Sequence, residues 1–285
     1  MIRFMWRLMV LGGVVAVFML QGCAYYESDH NKEIDTTPPA APRGVYSITG
    51  DEEVVINWYP NQEKDLKGYM IYRSFEKLGK YVEIDMVGSE ASSYVDKNVK
   101  NGTTYYYAVS AIDFNDNESE LSPEIVEDTP RPAGRNIKLE DYSLRPERSG
   151  FDFSSPEKGA QTFDLSNIDI YFGIDTEVWV PYIYSDNGTE FQDLGYTDSM
   201  DDVDASPTKG FTELFVEAII GHTYAFLTPD KHYAKLRVTD IYIDRVGDNV
   251  REAWITFDWA YQLQDGNPEL APRNNLKLSV SKLRL

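Results

Sequence analysis

Apolar positions along the chain fall into three patterns. The first is an unbroken run from Leu8 to Leu20, preceded by Arg3 and Arg7, with no acidic residue before Glu27. Crossing a bilayer takes roughly 17–25 apolar residues, so this shorter run is expected to be an export signal rather than an anchor helix. The second pattern occupies residues 38 to about 128, where apolar residues alternate with polar ones. In VVINWY, Val54, Ile56 and Trp58 alternate with Val55, Asn57 and Tyr59, and in TTYYYAVSAID, Tyr105, Tyr107, Val109 and Ala111 share one side. That is the period of strands with one buried face, and GYMIYR and KYVEIDMV read as two more. The third pattern follows residue 134, with candidate strands at 161–165, 168–174, 176–184, 213–219, 222–228, 232–243, 251–263 and 275–283. In AWITFDWAYQL, Ile255, Phe257, Trp259, Tyr261 and Leu263 alternate with Thr256, Asp258, Ala260 and Gln262. Helical periodicity is nearly absent. The expected fold is all-β: a sandwich followed by a second antiparallel β-domain, either a sandwich or a partly open barrel.

Punctuation supplies the boundaries. DTPRPAG at 128–134 breaks the alternation with two prolines and a glycine and is expected to separate two domains. AYYESDHNKEIDTT, 24–37, is polar and aperiodic and reads as a flexible tether with a reach on the order of 20 Å. The expected division is residues 1–22 as signal, 23–37 as tether, 38–128 as the first domain and 134–285 as the second.

The single cysteine, Cys23, follows the apolar run in the stretch MLQGC. Leu20-Gln21-Gly22-Cys23 resembles the lipobox of bacterial lipoproteins, with Gln21 departing from the small residue more usual there. The resemblance implies cleavage before Cys23 and a thioether-linked diacylglycerol on its sulfur, and it makes the lipid membrane a partner through Cys23. Ala24, in place of an aspartate, resembles the outer-membrane sorting choice of a diderm cell. With no second cysteine, no disulfide can form, so each domain rests on its own packing. Two or three acyl chains hold a protein at a membrane far more firmly than one.

A second resemblance sits in the body. PPAAPRGV at 38–45, Trp58, GYMIYRS at 68–74 and NGTTYYYAVSAIDFNDNESELS at 101–122 resemble a fibronectin type III domain. The resemblance implies a seven-stranded sandwich used as a spacer or interaction module, with Tyr105 as the tyrosine of its E–F corner. It implies no chemistry, and Arg43-Gly44 runs on to Val45 rather than to an adhesion tripeptide.

Charge removes one partner class. Losing residues 1–22 leaves 25 basic against 47 acidic residues, a net of −22. Nucleic-acid binding needs cations to displace counterions from phosphates, so no nucleic-acid partner is expected; the charge suits a soluble, exposed surface.

Candidate chemistry is sparse. TDSMDDVDAS places Asp198, Asp201, Asp202 and Asp204 on one loop, a source of oxygen ligands for calcium, but without the glycine and closing glutamate of an EF-hand; a solvated loop is the favoured reading. GHTYAFLTPDKHYAKLRV reads as a hairpin closed at Pro229-Asp230 and resembles a hairpin of haem-scavenging surface lipoproteins, where two histidines bind iron axially. Pairing Leu227 with Lys231 or His232 would hold His222 and His232 ~17 Å apart along the ladder, too far to share one metal, so surface histidines and no cofactor are expected. Trp179, Tyr182 and Tyr184, with Trp254 and Trp259, are candidates for a sugar-stacking platform set against ordinary core packing. No nucleophile elbow, P-loop, dinucleotide fingerprint or zincin helix occurs, and among enzymes only a carboxylate-pair glycan hydrolase survives. The chain is therefore expected to be a membrane-anchored lipoprotein of the cell envelope that binds or scaffolds an extracellular protein or glycan, with glycan binding or hydrolysis as the alternative.

Overall fold

Alternation from Val45 to Val126 produces seven strands wrapped round one core. The computed structural model describes residues 35–212 and 214–270; the leader, Cys23 and the candidate strand at 275–283 lie outside the described residues. Strands β1 (Arg43–Thr49), β2 (Val54–Tyr59), β3 (Leu66–Ser74), β4 (Val82–Gly88), β5 (Ser93–Asp96), β6 (Tyr105–Asp113) and β7 (Val126–Asp128) form two sheets, in the orders β1-β2-β5 and β4-β3-β6-β7. This three-plus-four arrangement is that of fibronectin type III. Val54, Ile56 and Trp58 of β2 pack against Tyr69 and Ile71 of β3 and Tyr107 and Val109 of β6, with the Trp58 and Tyr69 rings 5.2 Å apart. The Tyr105 hydroxyl accepts the Lys100 N–H at 3.0 Å, the backbone bond expected of the corner tyrosine. Buried Asp96 accepts from Arg73 Nη1 at 2.7 Å and from the Tyr107 hydroxyl at 3.0 Å, so its charge is paired and hydrogen-bonded inside the sandwich.

A second pair of sheets follows. Strands β8 (Ala133–Glu140), β9 (Gly150–Phe151), β10 (Ile170–Asp175), β11 (Val180–Tyr184), β12 (Glu190–Tyr196), β13 (Phe215–Glu217), β14 (His222–Leu227), β15 (Tyr233–Val246) and β16 (Asn249–Tyr261) assemble in the orders β13-β11-β10-β9 and β12-β14-β15-β16-β8. The strands form two separate sheets rather than one closed ring, so this part is not a closed barrel. Its core is aromatic: Phe151, Phe153, Phe172, Phe191, Phe226, Phe257 and Trp259 are buried together, with Phe151 and Trp259 5.3 Å apart. Such rings remove large apolar areas from water without any covalent cross-link.

Three strands escaped the alternation. β12 buries only Phe191 and is interrupted by a bulge between Asp193 and Tyr196, which shifts the side-chain period. β8 is an edge strand that buries only Leu139 and carries Asn136 in a left-handed conformation, φ 55°. β9 has two residues. The expected strand at 161–165 is instead irregular chain, joined to the sheet by one bridge between Gln161 and Gly150.

The proline-bearing stretch between the two cores is packed rather than loose. Asp128, Thr129 and Arg131 are buried. Arg131 Nη2 donates to the Leu270 carbonyl and its backbone N–H to the Gly50 carbonyl, while Gln264 Nε2 donates to the Gly102 carbonyl at 3.0 Å. These bonds tie loops of the first sandwich to the chain that follows β16.

Candidate functional site

The sheet β13-β11-β10-β9 turns aromatic side chains both ways. Along β10, Ile170, Phe172 and Ile174 enter the core, so Tyr171, Gly173 and Asp175 take the opposite face. β11 buries Ile183 and leaves Tyr182 and Tyr184 outside; β13 packs Val216 inward and leaves Phe215 and Glu217 outside. Register aligns these residues, with Tyr171 opposite Tyr184, Gly173 opposite Tyr182, Tyr184 opposite Phe215 and Tyr182 opposite Glu217. Tyr142 then lies over Gly173: a Cβ there would stand 2.4 Å from its ring. The Tyr142 N–H donates to the Phe172 carbonyl, and Asp141 Oδ2 accepts the Ile174 N–H at 2.7 Å, fixing that segment to β10.

The result is a continuous aromatic face. Tyr171 and Tyr184 stack at 5.2 Å and 18°, and Tyr142 meets both edge-on at 5.4 and 6.0 Å. Phe163 joins at 5.1 Å from Tyr142, and Phe215, 51% exposed, meets Tyr182 at 5.2 Å. The Tyr171 hydroxyl donates to Asp186 Oδ2 at 3.1 Å. Burial, then the neighbouring Tyr142 and Asp175, pushes the Tyr184 phenol up to about 12; burial and then Asp186 raise that of Tyr171. Both remain protonated donors at neutral pH. The face thus offers partly buried rings, phenolic donors and carboxylate acceptors.

Of the five aromatics singled out in the sequence, only Tyr182 and Tyr184 belong to this face. Trp179 sits in the turn between β10 and β11 with φ 62°, beneath the Arg245 guanidinium at 4.6 Å. Trp254 lies on the other sheet, stacked on Tyr242 at 5.3 Å with Lys138 Nζ 4.7 Å from its ring. Trp259 is in the core. Tyr171 was legible from alternation in IDIYFGI, whereas Tyr142 and Phe163 come from irregular chain, and the only sequence signal for Tyr142 was the glycine at 173.

The acidic loop is organised by its own hydrogen bonds. Ser199 caps the short 3-10 turn Met200–Asp202, and Asp202 Oδ2 accepts the N–H groups of Asp198 and Ser199 at 3.1 and 3.0 Å. The carbonyls of Met200 and Val203 accept from Lys235 Nζ at 2.9 and 3.1 Å. Burial pushes that lysine down to about 7, and Arg131 adds to the effect, against the opposing pull of Asp201, Asp204 and Asp202. The loop therefore faces an amino group of the chain itself.

The two histidines of the β14–β15 hairpin stand apart. Leu227 pairs with Tyr233, one residue beyond the expected partner. His222 Nδ1 lies 3.0 Å from the Asp193 carboxylate, and His232 Nδ1 lies 2.9 Å from the Gln262 carbonyl.

A cleft of about 890 Å³ opens between the edges of β1 and β7 and the loops at 204–205 and 267–269. Arg43, Tyr46, Tyr59, Glu124 and Glu127 line one side, and Asp204 and Glu269 the other.

No family model matches the chain. Over 100 residues it is 37% identical to an amylopullulanase of Thermoanaerobacterium saccharolyticum, a match covering 35% of this chain and 8% of that protein. Over 124 residues it is 29% identical to exoglucanase B of Cellulomonas fimi, covering 42% and 11%. The chain thus spans about a tenth or less of the length of these curated relatives. Among solved structures, it is 26% identical to an Fn3-like protein from Clostridium thermocellum, covering 32% of this chain and 92% of that one, with a TM-score of 0.27. A β-1,2-glucanase from Parabacteroides distasonis is 29% identical, covering 34% and 14%, with a TM-score of 0.31.

Proposed function

We propose that this chain is a cell-envelope lipoprotein, acylated at Cys23, whose fibronectin type III-like sandwich stands between the lipid and a second sandwich that binds glycan. The binding surface is the aromatic face of β10, β11 and β13. The observation that carries the reading is the Tyr171–Tyr184 stack, widened by Tyr142, Tyr182 and Phe215 into one partly exposed sheet face. Pyranose rings present apolar C–H faces and polar hydroxyl rims. Such a ring laid on tyrosine removes apolar area from water at roughly 25 cal/mol per Å², while phenols and carboxylates meet its hydroxyls. The curated relatives are named for amylopullulanase and exoglucanase activity, which supports a glycan setting outside the cytoplasm. On this reading the division at 128–134 separates a spacer from a binder.

Two experiments test the two halves. Affinity electrophoresis of the solubilised full chain through gels containing α-glucan, β-glucan or hexosamine polymer should show retardation by at least one. Tyr184→Ala should weaken that interaction about tenfold, the equivalent of about 1.4 kcal/mol; free migration in every gel contradicts glycan binding. Metabolic labelling with a radioactive fatty acid should mark the wild-type chain and not Cys23→Ala, and a labelled alanine variant contradicts the anchor.

A further inference from the structure

We infer that the glycan taken by this aromatic face bears free amines, as a partly N-deacetylated hexosamine polymer does. This deepens the glycan-binding reading and rests on it. Between Lys158 and Lys209 the chain contains no lysine, arginine or histidine. That interval supplies β10 and β11 and with them Tyr171, Tyr182 and Tyr184, together with Asp164, Asp175, Glu177 and Asp186. Glu217 on β13 lies on the same face, opposite Tyr182.

Four cations of the second sandwich have partners of their own. Arg145 and Arg148 approach Glu140 at 3.9 and 3.1 Å, the Arg245 guanidinium covers Trp179, and Lys138 covers Trp254. A face with several carboxylates, built largely from a stretch of chain that carries no cation, repels uronate and sulfated polymers and draws in ammonium groups. The rings discriminate little among neutral pyranoses, because all of them present C–H faces. Charge is therefore what sets the ligand class. Asp186, held against the stack by the Tyr171 hydroxyl, is placed to meet an amine on a sugar stacked there.

The test is calorimetry of the full chain in detergent with three hexamers: β-1,4-glucosamine, its fully N-acetylated counterpart and cellohexaose. Below the amine's pKa and at low salt, the free-amine hexamer should bind at least about tenfold more tightly than the N-acetylated one. Well above that pKa, or at about 0.5 M salt, the ratio should fall towards one, because exposed charges are then neutralised or screened. Asp186→Asn with Glu217→Gln should narrow it. Since the whole chain is acidic, Tyr171→Ala with Tyr184→Ala must also abolish free-amine binding; retention there would mean diffuse attraction and would overturn the inference. Equal or tighter binding of the N-acetylated hexamer or cellohexaose overturns the amine preference and leaves glycan binding intact. Failure of all three, together with unretarded migration in every polysaccharide gel, removes the underlying reading as well.

Discussion

The two sandwiches solve the same packing problem and differ in where they leave their aromatic rings. In the fibronectin type III-like part the ring pairs are built on buried residues: Trp58 with Tyr69, Tyr105 with Tyr107, and exposed Phe75 against buried Tyr105. Outward tyrosines such as Tyr72 and Tyr106 make no ring pair among the described residues, and Tyr72 instead donates its hydroxyl to Glu118. In the second sandwich, β10 carries Phe172 into the core and Tyr171 onto a solvent-side cluster. Core packing explains inward rings. Outward rings that pair into a continuous face require another cause, and the second sandwich alone has them.

Four changes break or sharpen that contrast. The largest effect is expected from Asp96→Ala, which leaves Arg73 charged and unpaired in the first sandwich; removing one member of such a pair costs about 3–5 kcal/mol. Urea unfolding should show that loss, while glycan binding by the second sandwich persists. Next is Gly173→Val. Its side chain collides with the Tyr142 ring, so strain of about 1–3 kcal/mol should appear in thermal unfolding together with weakened binding, as Tyr142 leaves the face.

The third is pH. Lys235 titrates at about 7 in the folded chain because of burial and then Arg131, but near 10.4 when unfolded. Between those values the unfolded chain holds a proton the folded one lacks, so stability rises with pH by up to about 1.4 kcal/mol per unit. Asp169, raised by burial to about 6, acts oppositely, lowering stability as pH climbs from about 4 to 6. Urea midpoints at about pH 7 and pH 9 should show the rise, and Lys235→Met should flatten it. The smallest effect is expected from Tyr72→Phe, a half-buried tyrosine of the first sandwich bonded to an exposed glutamate, within about 0.5 kcal/mol in urea and without change in binding.

Much of the fold was legible because strands with one buried face announce themselves. VVINWY and AWITFDWAYQL both became strands, with Val54, Ile56 and Trp58, and Ile255, Phe257, Trp259 and Tyr261, inward as expected; the second strand ends at Tyr261, however, so Gln262 is buried and Leu263 exposed, the reverse of the expected alternation. β8 and β12 were not legible, since an edge strand with one buried residue and a strand broken by a bulge both lose the period. The aromatic face was half legible: Tyr182 and Tyr184 stood out, and the alternation that exposes Tyr171 was present. What brings Tyr142 onto Gly173 is a long-range packing choice that no local period encodes. The same holds for Lys235, which is buried in mid-strand against carbonyls 32 and 35 residues away in the chain.

Binding is the most direct test of the aromatic face. Calorimetry of the wild type and of Tyr171→Ala with Tyr184→Ala, against whichever polysaccharide retards the wild type, should show affinity falling by about a hundredfold while urea unfolding stays cooperative. A double variant that folds and binds as tightly as the wild type would show that these rings only pack, and would contradict the account.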